Sequence, residues 1–169
     1  MPISNPFELV YDAIWGLVDN HKGLSDLIRF ENRVNFNNPR NRDPVKTQVA
    51  ARDLPELRLI ATGATYATET TSCSTKVTQQ FQWGIATGDK RFEQVFQVNW
   101  ELLRAMMKWR ETLQALLWNN KRFVFHVSPI EHSVGVTDVD LNRGIKGWSA
   151  LWTGEVQMFF TSADLAGDT

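Results

Sequence analysis

Cysteine is nearly missing from this chain. Cys73 is the only one in 169 residues, so no intrachain disulfide can form and no thiolate-rich metal site can be assembled. Such usage fits a reducing compartment. Neither sign of charge is in excess: 18 Lys and Arg stand against 19 Asp and Glu, with a sequence pI near 6.3. The chain as a whole therefore has no electrostatic reason to seek nucleic acid, and no specific nucleic-acid binding is expected. No apolar run approaches the ~18 residues that span a membrane, so no membrane partner is expected. The opening Met1–Pro6 segment has no basic stretch leading into an apolar one, so no secretion signal is expected either. Gly63 and Gly84 fall within or beside strand patterns, not in a loop that opens a helix, and a phosphate cradle has no support.

What is present is ordinary globular material, 43% hydrophobic and 22% charged. The length fits one domain over residues 1–169, which would bury about 70% of its unfolded surface. No internal repeat or second domain boundary shows.

Residues with catalytic or metal-binding chemistry are sparse and poorly spaced. His126, Glu131, His132, Asp138 and Asp140 form the one cluster of metal-like types. On one continuous strand His126 and His132 would share a face and Glu131 would point away, but a bulge at Pro129 upsets even that. The spacing matches no zinc or calcium signature, and surface or hairpin residues are the simpler reading. Cys73 sits in a Thr/Ser-rich stretch with no helix start directly after it to lower its pKa. The serines lack a nucleophile elbow. No catalytic residue, no cofactor and no metal are expected.

The element pattern is clearer. A helix is predicted from Pro6 to about Asn20, with Asn5 as N-cap, Pro6 in its first turn and an apolar stripe of Phe7, Tyr11, Ile14 and Val18. Gly23 offers a stop. Leu54–Ala61 reads as a strand, Thr62–Ala64 as a bulge or turn, and the Thr-rich stretch to Thr75 as a further, partly exposed strand. Val77, Phe81, Trp83 and Ile85 then alternate with Lys76, Thr78, Gln80 and Gln82, the mark of a strand with one dry face in an antiparallel sheet. Asp89 can cap a long helix running to about Trp118, on which Phe92, Val95, Phe96, Leu102, Leu103, Met106, Trp109, Leu113 and Leu116 keep helical spacing. Phe123–Val127, a continuation through Val134 and Val136, and a last strand from Trp148 to Phe160 follow, with a turn at Asn142–Gly144. The tail from about Ala163 is expected to fray. The fold class is α+β: a mostly antiparallel sheet packed by one long helix and one shorter N-terminal helix.

Two features exceed what such a domain needs. The stretch 32–53 is rich in Asn and Pro, longer than an ordinary loop, and carries Arg33, Arg40, Arg42, Lys46 and Arg52. A solvated mobile loop, a phosphate contact and a contact to a neighbouring subunit all remain open. The solvated loop is the simplest of these; Phe36 is the only aromatic in the stretch, which disfavours base stacking, and the shape of the rest of the protein favours a subunit contact over nucleic acid. The second feature is tryptophan, seven in all. Trp83, Trp148 and Trp152 fall on inward strand faces. Trp100, Met107, Trp109 and Trp118 give the long helix more apolar surface than one sheet contact can bury, and a subunit contact or a hydrophobic ligand pocket could use it.

The order of elements is helix, irregular loop, three strands with a Thr-rich middle one, long helix, and a closing group of strands. It resembles the lambda-type tail-terminator family of long-tailed phages, related to neck and tail-completion proteins. The residues that carry the resemblance are Asp53-Leu54-Pro55-Glu56-Leu57-Arg58-Leu59-Ile60, then Ala64-Thr65-Tyr66, Phe81-Gln82-Trp83-Gly84-Ile85, and Gly147 to Thr153 in the closing strand. The loop and the C-terminal hairpin region are longer than in the family's smaller members. The resemblance implies a structural virion protein, assembled in the host cytoplasm and located in the tail or neck. It would form a homo-oligomeric ring, a hexamer, that caps the tail tube, ends its polymerisation and meets a head-side neck or connector protein. The family supplies no catalytic residue to carry over. On this reading Arg33, Arg40, Arg42, Lys46, Arg52, Trp100, Met107 and Trp118 are the interface candidates. Another neck or connector ring protein, a monomeric binder of small hydrophobic ligands, and an enzyme using His126 with Asp138 or Asp140 are the competing readings.

Overall fold

The computed structural model describes residues 5–34, 54–69, 74–87, 92–118, 121–122, 124–127, 131–140 and 145–166, with only the backbone path for 68–69, 92, 124–127, 131–140, 145–150 and 165. The turn expected at Asn142–Gly144, the Asp89 cap and Cys73 lie outside them.

Helix α1 (Pro6–Asp19) starts where its cap dictates: the Asn5 Oδ1 accepts the Glu8 N–H at 2.8 Å, and Pro6 occupies the first turn. It buries Val10, Tyr11, Ile14 and Val18, while Phe7 packs partly buried against the core. The helix ends without help from Gly23. The Asn20 N–H returns to Gly16 O, the His21 N–H returns to Val18 O, and Gly23 lies inside a second helix, α2 (Lys22–Leu27). A Cβ on residue 23 would sit 2.0 Å from an oxygen of Glu101, so a larger residue there would displace that carboxylate. A 3-10 turn (Phe30–Asn32) leads into the two-residue strand β1 (Arg33–Val34).

The main sheet is built on two 14-residue strands, β2 (Glu56–Glu69) and β3 (Ser74–Thr87), paired antiparallel along their whole length. Three strands were expected where these two stand. The Thr-rich stretch is the far half of β2, and the register shift between Ala61 and Gly63 is the bulge that, in sequence, imitates a break. After helices α3 (Phe92–Met106) and α4 (Trp109–Gln114) comes a small hairpin of β4 (Leu117–Trp118) and β5 (Lys121–Arg122). Then follow β6 (Val124–Val127), β7 (Glu131–Asp140) and the 17-residue β8 (Ile145–Thr161). Among the described strands the sheet order is β1-β2-β3-β8, with β6 and β7 both pairing the far side of β8, and β1 alone is parallel to its neighbour. The chain is therefore an α+β protein with a mostly antiparallel sheet, one long helix and an N-terminal helix. Residues from 163 are not simply frayed, since Ser162–Leu165 form α5, closed by a capping box between Thr161 and Asp164.

The single long helix expected to run to about Trp118 is interrupted at Met107 and Lys108. Leu102, Met106, Trp109 and Leu113 are all buried, so the apolar pattern stays in phase across the interruption and gives no sign of it. Phe96 and Leu103, expected inward, are instead exposed, and Val98 and Ala105 take the buried places.

The helices lie on the sheet face that carries Leu57, Leu59, Phe81, Trp83, Ile85, Trp152, Val156 and Met158, and with these they form one core. Trp15 of α1 stacks on Trp83 with 6.1 Å between ring centroids. Two polar links pin the layers: the Tyr11 hydroxyl donates to Leu59 O at 3.1 Å, and the Trp152 Nε1–H donates to Asn99 Oδ1 of α3 at 2.8 Å. Adjacent leucines of α3 test this placement. Leu102→Ala, in the core, should cost roughly 2–5 kcal/mol of unfolding free energy, and Leu103→Ala, outside it, no more than about 0.5 kcal/mol; paired denaturant titrations measure both. Equal losses would mean α3 is rotated from the orientation described.

Candidate interaction surface

At 100° per residue, positions 96, 100, 103 and 107 fall on one line of a helix. On α3 and its last turn these are Phe96, Trp100, Leu103 and Met107, exposed by 53%, 60%, 42% and 76%. Four large apolar side chains in a row on the outside of a water-facing helix form a patch, and patches of several hundred Å² mark contact sites. One flank of the row carries Glu93, Gln97, Arg104 and Lys108, all exposed. Two of the residues expected to make contacts, Trp100 and Met107, thus belong to this row. Phe96 and Leu103, which complete it, have a spacing that satisfies the inward pattern equally well.

Trp118 stands apart, partly buried on β4 with its ring edge-on to Phe160 at 5.7 Å. Arg33 is buried and committed inside the chain. Its Nη1 donates to Asp19 Oδ1 at 2.8 Å and its Nε to Ile28 O at 3.2 Å, tying the end of α1 to the end of α2. Arg40, Arg42, Lys46 and Arg52 lie outside the described residues.

The sheet offers a second surface. Among the described residues, β1 pairs with β2 only at Leu57 and Arg58. From Ile60 to Thr68 the outer strand has no charged side chain and no proline, the usual devices that protect an edge. Tyr66 pairs with Val77 and so shares the helix-side face, yet it is 69% exposed, because β2 at that level lies beyond the cover that buries Val77. On the opposite side the sheet ends in β6 and β7. The two ends are therefore unlike in sequence and in position.

Among the described residues no three His, Cys, Asp or Glu gather as a metal site would require. His126 pairs in register with Gln157 and His132 with Trp152, positions that lie on opposite faces of β8, so the shared face of a continuous strand is not kept. No helix among the described residues is long and apolar enough to cross a membrane. A polar cluster that joins the start of α2 to α3 is structural in form. The His21 ring nitrogen and Glu101 Oε2 lie 2.7 Å apart, and Arg104 donates to Glu101 Oε1 at 2.9 Å. The hydrogen bond from His21, assisted by Arg104, holds the Glu101 carboxyl below its ordinary range.

Compared by sequence, the chain matches no protein-family model and no curated protein.

Two measurements follow from these contacts. A carboxyl depressed in the folded state stabilises above its unfolded pKa, here 4.5, and that stability is lost as pH falls through the folded value. The deficit of Glu101→Gln relative to the native chain should therefore be full at neutral pH and shrink as the pH drops below about 4.5; urea titrations along a pH series read it. Arg33→Leu should lower stability by roughly 1–3 kcal/mol, the range for hydrogen bonds made by a charged group, and should leave any self-association of the folded fraction unchanged by sedimentation.

Proposed function

We propose that this chain is a structural virion protein that forms a homo-oligomeric ring, a hexamer, capping the tail tube of a long-tailed phage. The ring ends polymerisation of the tube on one side and receives a head-side neck or connector protein on the other. The observation that carries the reading is the sheet with two unlike ends. Among the described residues, one end is β1 followed by the uncharged stretch of β2 from Ile60 to Thr68, and the other is the pair β6 and β7. A contact between two different surfaces of the same chain is heterologous, and a heterologous contact closes into a ring when its rotation divides the circle. A strand edge without a neighbour among the described residues is one that another chain can pair with, which makes such an end a natural subunit contact. The resemblance in element order to tail terminators gives the ring its place, and the basic stretch 32–53 supplies further subunit or tube contacts.

The chain should sediment as a single assembly of about six times its 19.4 kDa mass and give rings in negative stain. Arg40→Glu combined with Arg42→Glu should lower the ring yield while leaving the circular dichroism spectrum of the monomer unchanged. A protein that stays monomeric at every concentration, with or without tube protein, would sink the proposal.

A further inference from the structure

The exposed row on α3 reads the same in both directions. Its midpoint falls between Trp100 and Leu103, so turning a second α3 antiparallel about that point places Phe96 against Met107 and Trp100 against Leu103 of the copy. Each apposition joins a ring to a thinner, flexible or branched side chain, which lets the rows interdigitate, and the thioether of Met107 against an aromatic edge is itself favourable. The charges on the flank follow the same rule. Glu93 lies about 13 Å before the midpoint and Lys108 about 10 Å after it, at 1.5 Å per residue. In the antiparallel pair each Glu93 comes opposite the copy's Lys108, twice over. Within one chain neither Glu93 nor Lys108 has an ion pair among the described residues. In a parallel pair the two charged flanks would lie on opposite sides of the contact and Glu93 would meet no Lys108, so the charges favour the antiparallel arrangement.

We infer that α3 is a self-recognition helix, whose occupant is the α3 of a second copy of this chain, packed antiparallel. This rests on the reading of the chain as an assembling subunit but not on ring closure, because a two-fold contact cannot join neighbouring subunits of one hexameric ring. It joins two free subunits, or two rings face to face. The row exposes on the order of 400 Å² per copy, so the pair buries about 800 Å² in total, less than the ~1,200 Å² of stable complexes. The contact is accordingly reversible and yields to a better partner.

Sedimentation velocity of the purified chain over a range from about 1 to about 500 µM tests this, since a contact of that area is expected to associate in the micromolar range or weaker. A dimer, or a pairing of rings, should appear as concentration rises, and Trp100→Glu should abolish it while leaving the far-ultraviolet spectrum intact. E93K and K108E should each weaken association about tenfold, as two exposed attractions become two repulsions. Mixing the E93K chain with the K108E chain should restore it, as should the double variant E93K/K108E. Restoration on mixing is particular to an antiparallel contact and does not depend on how Trp100→Glu folds. The inference is overturned if the native chain shows no such association across the range, or if the mixture associates no better than either single variant. Rings that form but ignore E93K would overturn it and leave the ring proposal standing. Dimers with this charge pattern and nothing larger would support it and remove the ring.

Discussion

The position of every surface in this molecule depends on one packing constraint, the burial of Trp83 and Trp152 side by side on adjacent strands. In register across β3 and β8, they present two indoles to a single face. That face must be covered, and α1 and α3 are the cover: Trp15 stacks on one indole, and Asn99 accepts the hydrogen bond of the other. Once Asn99 is held by Trp152, the rotation of α3 about its axis is set. Val95, Val98, Leu102 and Met106 then turn inward, and Phe96, Trp100, Leu103 and Met107 are forced outward. The exposed row is thus fixed by a hydrogen bond on the buried flank that adjoins it. A buried amide oxygen paired with an indole N–H is costly to break, since either group left unpaired loses its full desolvation free energy. That cost makes the outward face a fixed feature of the fold.

Much of the fold was legible in the sequence because its signals are local. Asn5 before Pro6 marks a helix start in any context, and the alternation from Val77 to Ile85 allows no period but two. The rest required contacts that sequence spacing does not carry. Gly23 has the profile of a helix stop, yet its role is set by Glu101, 78 residues away, whose carboxylate occupies the space a Cβ would need. The bulge at Ala61 and Gly63 shifts parity by one, so a continuous strand reads as two. On α3 the apolar residues cover so much of the circumference that periodicity alone cannot say which stripe faces the sheet. Trp100 and Met107 were singled out as surplus, but Phe96 and Leu103 fit either face, and only the Asn99–Trp152 link decides between them.

The interface candidates divide along the same line. Arg33 shares composition and neighbourhood with the other basic residues of its stretch, but it follows a 3-10 turn that aims it back at Asp19 and Ile28. A charged side chain that reaches two helix ends has its partners inside the molecule. Trp118, three residues beyond the end of α4 and its C-cap Ala115, is turned onto Phe160 by the small β4–β5 hairpin. Residues of the same type therefore serve cohesion or contact according to the element that carries them, which is why a count of arginines or tryptophans could suggest surplus without locating it.

The order of strands has a consequence for how the protein comes into being. The last of the described strands in chain order, β8, does not lie at the rim of the sheet but enters its middle, between β3 and the pair β6–β7. Until residue 161 has emerged, β3 has only β2 beside it and the Trp83 face has no Trp152 to complete it. At ribosomal speeds of about 5–20 residues per second, the wait between β3 and β8 lasts several seconds at least. Throughout that interval a long, two-stranded, half-apolar hairpin is held in an unfinished state, and the closing contacts span some 70 residues of chain, the kind of pairing that forms slowly. The nascent chain therefore depends on being kept from its neighbours until its final strand arrives, and the same β-edge chemistry that suits the finished molecule to assembly makes its premature encounter the principal hazard of its synthesis.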